Sequence, residues 1–221
     1  MTIITVPLAN RIMVRGRWSR LWLGWVLALG LLTIAVKCGW LASIDSGVAQ
    51  WTKAIRSPGV DATVRMVTFF GSSSWVGAVI ALMLWRWVTK CQWARLWAFI
   101  GAALLGIMGV AGIRLFVGQW RPDVQYIPAV LTPLMRFELA GFPSGHAFRS
   151  AFLYGWWAIV LSCNKKSWIR ACSVACAMLI LMVGGSRIYL HRHWFTDVVG
   201  GWLIAIIVLC FSCMTSLKKH G

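Results

Sequence analysis

Residues 195–217 read FTDVVGGWLIAIIVLCFSCMTSL, 23 positions with one charged side chain, Asp197. At about 1.5 Å of rise per residue, a helix of this length crosses the roughly 30 Å hydrocarbon core of a bilayer. Five comparable apolar runs stand upstream, at 21–42, 63–85, 96–116, 147–163 and 168–188. None shows the period-two alternation of a barrel strand, and only a helix satisfies its own backbone where water is absent. The chain is therefore predicted to be all-α, an integral membrane bundle of six transmembrane helices. A basic tail over 1–20 precedes a single membrane domain over 21–217, and 218–221 form a short tail.

Composition agrees with that reading. Of 221 residues, 60% are apolar and 12% charged, and there are 16 Trp, a residue suited to the headgroup level. The net charge of +17 raises the question of nucleic acid, but the basic residues are dispersed between membrane-length runs, with no basic-aromatic strand pattern. Anionic lipid headgroups are the expected partner, and nucleic acid is not. The seven cysteines (Cys38, Cys91, Cys163, Cys172, Cys176, Cys210 and Cys213) lack metal-ligand spacing and read as small apolar residues, so no metal or other cofactor is expected. The N-terminal apolar run is about 20 residues long and has no small-residue cleavage pattern, so it is expected to stay as the first span.

Six spans put both termini on one side. That side would carry Arg11, Arg15, Arg17, Arg20, Arg86, Lys90, Arg95, Lys165, Lys166, Arg170, Lys218 and Lys219, with no acid, and the other ten basic residues fall toward the opposite face with all five acids. Several basic residues of the opposite face fall in motifs suited to binding phosphate, and the remainder favours cytoplasmic termini in a cell or inner membrane. The segment 117–145 is then an outer or periplasmic loop, rich in Pro and Gly and longer than a tight connection needs. Residues 43–60 form a second outer connection, in which Asp45 is expected to cap a short amphipathic helix running through Trp51 to Arg56.

Three constellations fall at the outer ends of the later spans, where charged and polar groups are expensive unless used. Arg114 is followed by Arg121-Pro122, Pro143-Ser144-Gly145-His146 opens the fourth span, and Ser186-Arg187, His193 and Asp197 bridge the fifth and sixth. Singly, each has a plain reading. Arg114 can snorkel, Ser144 can be only a helix cap, and His193 with Asp197 can be a structural pair one helical turn apart. Together, in one order and on one face, they exceed what those readings explain.

The motifs resemble those of the type-2 phosphatidic-acid phosphatase superfamily: Lys-x6-Arg-Pro, Pro-Ser-Gly-His and Ser-Arg-x5-His-x3-Asp. The second and third match in full, and the first departs only in having Arg114 where the family has Lys. The resemblance extends over about 45–211.

Phosphoryl transfer needs donors placed beforehand against charge spread over equatorial oxygens. Arg121 and Arg187 suit bidentate phosphate binding, Ser144 and the Gly145 N–H add neutral donors at a helix start, and Arg114 completes the cradle. The resemblance implies His193 as nucleophile, oriented by Asp197, and His146 as general acid and then base. His191, two residues before His193, is not expected to join it on a metal, because on a helix the two rings would diverge and the arginines would repel a cation. Arg149 is open between a headgroup contact and snorkelling.

The expected activity is hydrolysis of a lipid phosphate or pyrophosphate through a phosphohistidine, the lipid arriving sideways between helices. Candidate substrates are undecaprenyl pyrophosphate, phosphatidylglycerophosphate, phosphatidic acid and a lipid A phosphate. A lipid phosphotransferase would use the same residues, a soluble sugar-phosphate phosphatase would share the motifs, and an anion or lipid transporter would need the arginines without both histidines.

Overall fold

A computed structural model of the chain describes residues 8–124, 132–162 and 167–218, with side-chain surroundings for all of these except 8–18, 133, 136, 161–162, 167–169 and 215–218. The helices are α1 (Leu8–Lys37), α2 (Ala42–Ala54), α3 (Pro58–Phe69), α4 (Ser73–Thr89), α5 (Trp93–Val117), α6 (Pro133–Leu139), α7 (Gly145–Ser162), α8 (Ser167–Tyr189) and α9 (Phe195–Lys218). Among the described residues there is no strand, only an isolated antiparallel bridge between Trp120 and Ala140. Lys165, Lys166, Lys219 and the centre of the long loop, 125–131, lie outside the described residues.

Five described stretches have the length and hydropathy of a bilayer span: Ser19–Lys37, Pro58–Thr89, Trp93–Val117, Arg170–Tyr189 and Phe195–Met214. The other expected span coincides with α7, which is not among these five. Its position explains the difference: α7 packs chiefly against α8 and α9, and Ala147, Phe148, Ser150, Ala151, Phe152 and Leu153 are all buried. The first half of α7, enclosed by protein, can carry His146, Arg149 and Ser150 away from lipid, while Trp157, Ile159 and Val160 of its second half are exposed.

Because lipid is as apolar as the bundle, packing rather than escape from water holds such helices together. The core is accordingly aromatic and close-fitting. Phe148 and Phe152 of α7 stack at 5.8 Å between ring centroids, Phe99 of α5 lies 5.1 Å from Phe152, and Ile204, Ala205, Val208 and Leu209 of α9 close the cluster. The outward faces are apolar instead of polar, with Leu31, Met66, Trp85 and Met108 exposed. This inverted pattern fits a lipid-facing surface.

Three details depart from the sequence reading. The first span ends at Lys37 rather than 42, because Gly39 turns the chain with a φ of +73°. The second span is not one helix: it breaks after Phe69, and Ser72 starts α4 by accepting the Trp75 N–H at 3.2 Å. The break frees two carbonyls for α7, since Tyr154 Oη donates to Phe70 O at 2.8 Å and Arg149 Nε to Gly71 O at 3.4 Å. Broken helices are tolerated at membrane depth where neighbouring protein satisfies the backbone in this way. Finally, Asp45 does not cap α2, whose N-cap is Leu41; its carboxylate instead binds Thr196 at the start of α9.

Candidate active site

The first motif is set by the end of α5. Gly118 takes the left-handed conformation, φ +66°, and its N–H closes on Arg114 O at 3.0 Å, so Arg114 sits in the last turn and Arg121 just beyond it. The chain leaving α5 is pinned to the chain entering α7 by Gly141 N–H to Gln119 O at 2.6 Å and Arg121 N–H to Leu139 O at 3.3 Å. The Arg114 guanidinium is buried, donates to Pro143 O at 2.8 Å, and lies 4.9 Å from the centre of the Phe137 ring. It does not snorkel.

The second motif enters from above α9. Ser144 is fully buried, its N–H donates to Asp197 O at 2.8 Å, and its Oγ accepts the Ala147 N–H at 3.4 Å as the cap of α7. This approach needs glycine opposite, since a Cβ on Gly201 would stand 2.6 Å from Ser144 O. His146 follows in the first turn of α7. Arg149 NH2 lies 3.3 Å from His146 Nδ1, and because a guanidinium only donates, Nδ1 is the acceptor. Arg149 thus turns inward to the site and does not snorkel.

The third motif spans the end of α8, a non-helical turn that carries His193, and the start of α9. α8 ends at Tyr189, and Arg187 O receives the N–H groups of both Arg192, at 3.0 Å, and His193, at 3.2 Å. His191, at φ +53°, faces Thr52 Oγ1 at 3.4 Å, whereas His193 faces Asp197. The two rings diverge because the turn separates them, not because of a helical rotation. His193 Nδ1 is 3.1 Å from Asp197 Oδ2, which also accepts the Trp194 N–H at 2.9 Å, with His193 3% exposed and Asp197 fully buried. The carboxylate can only accept, so Nδ1 carries the proton and Nε2 keeps its lone pair. Asp197 therefore holds the second motif by its carbonyl and the third by its side chain.

Charge in this region is unbalanced. Buried Nε–H groups of Arg114, Arg121 and Arg187, and Oδ1 of Asp197, have no hydrogen-bond partner among the described residues. Arg187 uses NH1 on Thr68 Oγ1 at 3.0 Å. Buried cations are costly unless paired, so a cluster of this kind is suited to an anion. Burial, and then the charges of Arg187, Arg121 and Arg114, hold the His193 imidazole well below its ordinary pKa. Beside the cluster, Trp51, Ile55, Val64, Val67, Met182 and Ile188 line an apolar cavity of about 620 Å³, with Ser186, the neighbour of Arg187, in its wall.

All eight residues expected from sequence are thus brought to one end of the bundle. Sequence reasoning missed Asp45, Thr68 and the Gly71 break; only the Gly-Ser-Ser-Ser run at 71–74 signalled the last.

The arrangement defines a class. The profile of the PAP2 superfamily matches residues 95–220, more than half of the chain and all three motifs, so the chain belongs to the PAP2 superfamily. It is an integral-membrane phosphatase of that type. Among particular relatives, phosphatidylglycerophosphatase B of Bacillus subtilis (strain 168) is 24% identical over 185 residues, covering 80% of this chain and 86% of that protein. The crystal structure of the transmembrane PAP2-type phosphatidylglycerolphosphate phosphatase from Bacillus subtilis matches with a TM-score of 0.68 at 22% identity, covering 90% of this chain and 96% of that one. Aquifex aeolicus LpxE matches with a TM-score of 0.56 at 25% identity, covering 76% and 93%.

Proposed function

We propose that this protein is a lipid phosphatase that hydrolyses a lipid phosphate or pyrophosphate through a phosphohistidine, with cytoplasmic termini and its site at the outer face. The observation that carries the reading is the pairing of His193 with Asp197 beside Arg114, Arg121 and Arg187, whose buried Nε–H groups have no partner among the described residues. In the first step His193 Nε2 attacks phosphorus, the N–P bond forms as the P–O bond to the lipid breaks, and His146 gives the leaving oxygen a proton. Asp197 stabilises the imidazolium that develops, while Arg114, Arg121 and Arg187 meet the equatorial oxygens.

In the second step water loses a proton to His146 and attacks phosphorus, releasing inorganic phosphate and restoring His193. Ser144 and the Gly145 N–H, at the start of α7, contribute neutral donors and the positive end of the helix dipole. No step requires a metal, because the arginines supply the positive charge.

The apolar cavity beside Arg187 supports a substrate with a hydrocarbon tail. The Bacillus subtilis relatives make phosphatidylglycerophosphate the first candidate among the lipid phosphates. Purified protein in mixed micelles should release phosphate from phosphatidylglycerophosphate, phosphatidic acid, undecaprenyl pyrophosphate or a lipid A phosphate, and His193→Asn should abolish release from whichever is turned over. Phosphate release only from soluble phosphomonoesters, or substantial turnover by His193→Asn, would defeat the reading.

A further inference from the structure

The start of α9 is held by two carboxylates, one of them from far away in the chain. The first N–H groups of a helix lack intrahelical acceptors, and a side-chain oxygen there both satisfies them and suits the dipole. Asp197 Oδ2 takes the Trp194 N–H locally. Asp45, 151 positions away in the first turn of α2, takes Thr196 with both oxygens: Oδ1 accepts the N–H at 3.0 Å and Oδ2 the hydroxyl at 2.6 Å. Both side chains are buried, Asp45 at 3% exposure and Thr196 at 2%.

A local Ser or Asn could cap a helix without burying a second carboxylate near Asp197, which repels it. What a local cap cannot do is fix α9 to another helix. α2 grips the same turn at one further point, Thr52 Oγ1 against His191 Nε2 at 3.4 Å, and in the connection to α3 the Ser57 N–H donates to Tyr189 Oη, at the end of α8, at 3.2 Å. These contacts bracket the 190–194 turn, so a displacement of α2 would pass directly into the spacing of His193 and Asp197.

We propose that Asp45 is a positioning residue for the phosphatase reaction: by clamping Thr196 it sets the His193–Asp197 pair, and α2 serves as the brace of the catalytic turn. This rests on the reading that His193 attacks phosphorus.

The test uses the full chain in micelles with the preferred lipid phosphate, kcat being referred to folded protein by vanadate titration of sites. Asp45→Ala should lower kcat about 30- to 100-fold while KM stays within about threefold, the size expected when a nucleophile is displaced by a fraction of an ångström to 1 Å. Asp45→Asn, which keeps an acceptor for the Thr196 N–H and a group to meet its hydroxyl, should recover to within about fivefold of the parent. Should Asp45→Ala fail to fold, Thr196→Val carries the test, with an expected kcat loss of about tenfold at unchanged KM.

Loss of thermal stability with full kcat per folded molecule, a change confined to KM, or no recovery in Asp45→Asn would overturn the proposal. His193→Asn run alongside separates the two levels. Retained turnover there sinks the nucleophile reading itself, whereas an inactive His193→Asn beside a fully active Asp45→Ala sinks only the brace.

Discussion

Asp197→Asn is the substitution whose outcome the geometry constrains most tightly. Both donors, His193 Nδ1–H at 3.1 Å and Trp194 N–H at 2.9 Å, converge on one oxygen, Oδ2, while Oδ1 has no partner among the described residues. An Asn can therefore place its amide oxygen at the Oδ2 position and keep both hydrogen bonds, which leaves Nε2 of His193 unprotonated. The alternative flip would turn the NH2 on His193 and move the ring proton to Nε2, but it would leave the Trp194 N–H facing a donor. The preserved tautomer is favoured. What is lost is the negative charge that meets the imidazolium in the transition state.

At 3.1 Å and an effective dielectric of about 20, unit charges interact by roughly 5 kcal/mol, and the surrounding arginines and the retained amide dipole offset part of it. A net loss of about 3–4 kcal/mol, or 10²- to 10³-fold in kcat, is expected. Steady-state phosphate release by purified variant in micelles, with circular dichroism to verify folding, measures it. Activity within about tenfold of the parent would refute the claim that Asp197 stabilises charge on His193.

Arg114 donates to Pro143 O through one N–H, which an ammonium can also do, so Arg114→Lys should keep kcat/KM within about tenfold, roughly 1.4 kcal/mol. Arg114→Ala removes the charge and the anchor of the second motif together and should cost about 10³-fold in phosphate release. Activity should survive EDTA and be inhibited by vanadate, a mimic of the in-line transition state; loss on chelation with recovery on adding zinc or magnesium would show that a metal does the work assigned to the arginines. Because the His193 pKa is lowered, its neutral, nucleophilic form persists as pH falls. The acid limb of kcat/KM, corrected for substrate ionisation, should therefore lie below the ordinary histidine value of about 6.5, and a limb at or above that value would contradict the electrostatics described.

The long apolar runs and the motif residues were legible because each is a local pattern: hydropathy sets a span, and the motif spacings place Arg114, Ser144 and His193 near helix ends. What escaped depends on contacts between distant segments. Asp45 reads locally as a cap for the helix that follows it, and nothing nearby in sequence announces Thr196 as its partner. The break at Gly71 is stabilised by Arg149 and Tyr154 from α7, so an apolar count over 63–85 passes across it. His193 looked helical, and His191 with it, because the four-residue spacing from His193 to Asp197 is also what a turn of helix would give. The same distance is reached here by a non-helical turn closed onto Arg187 O.

The central claim is that phosphorus becomes bonded to His193. Enzyme mixed with lipid phosphate for less than one turnover, denatured at alkaline pH to protect the acid-labile N–P bond, and mapped by mass spectrometry should carry the phosphoryl group on the peptide containing His193. The label should vanish in His193→Asn and on longer incubation of the parent. Phosphate release at full rate with no phosphorylated peptide, or with the label on another residue, would contradict the account.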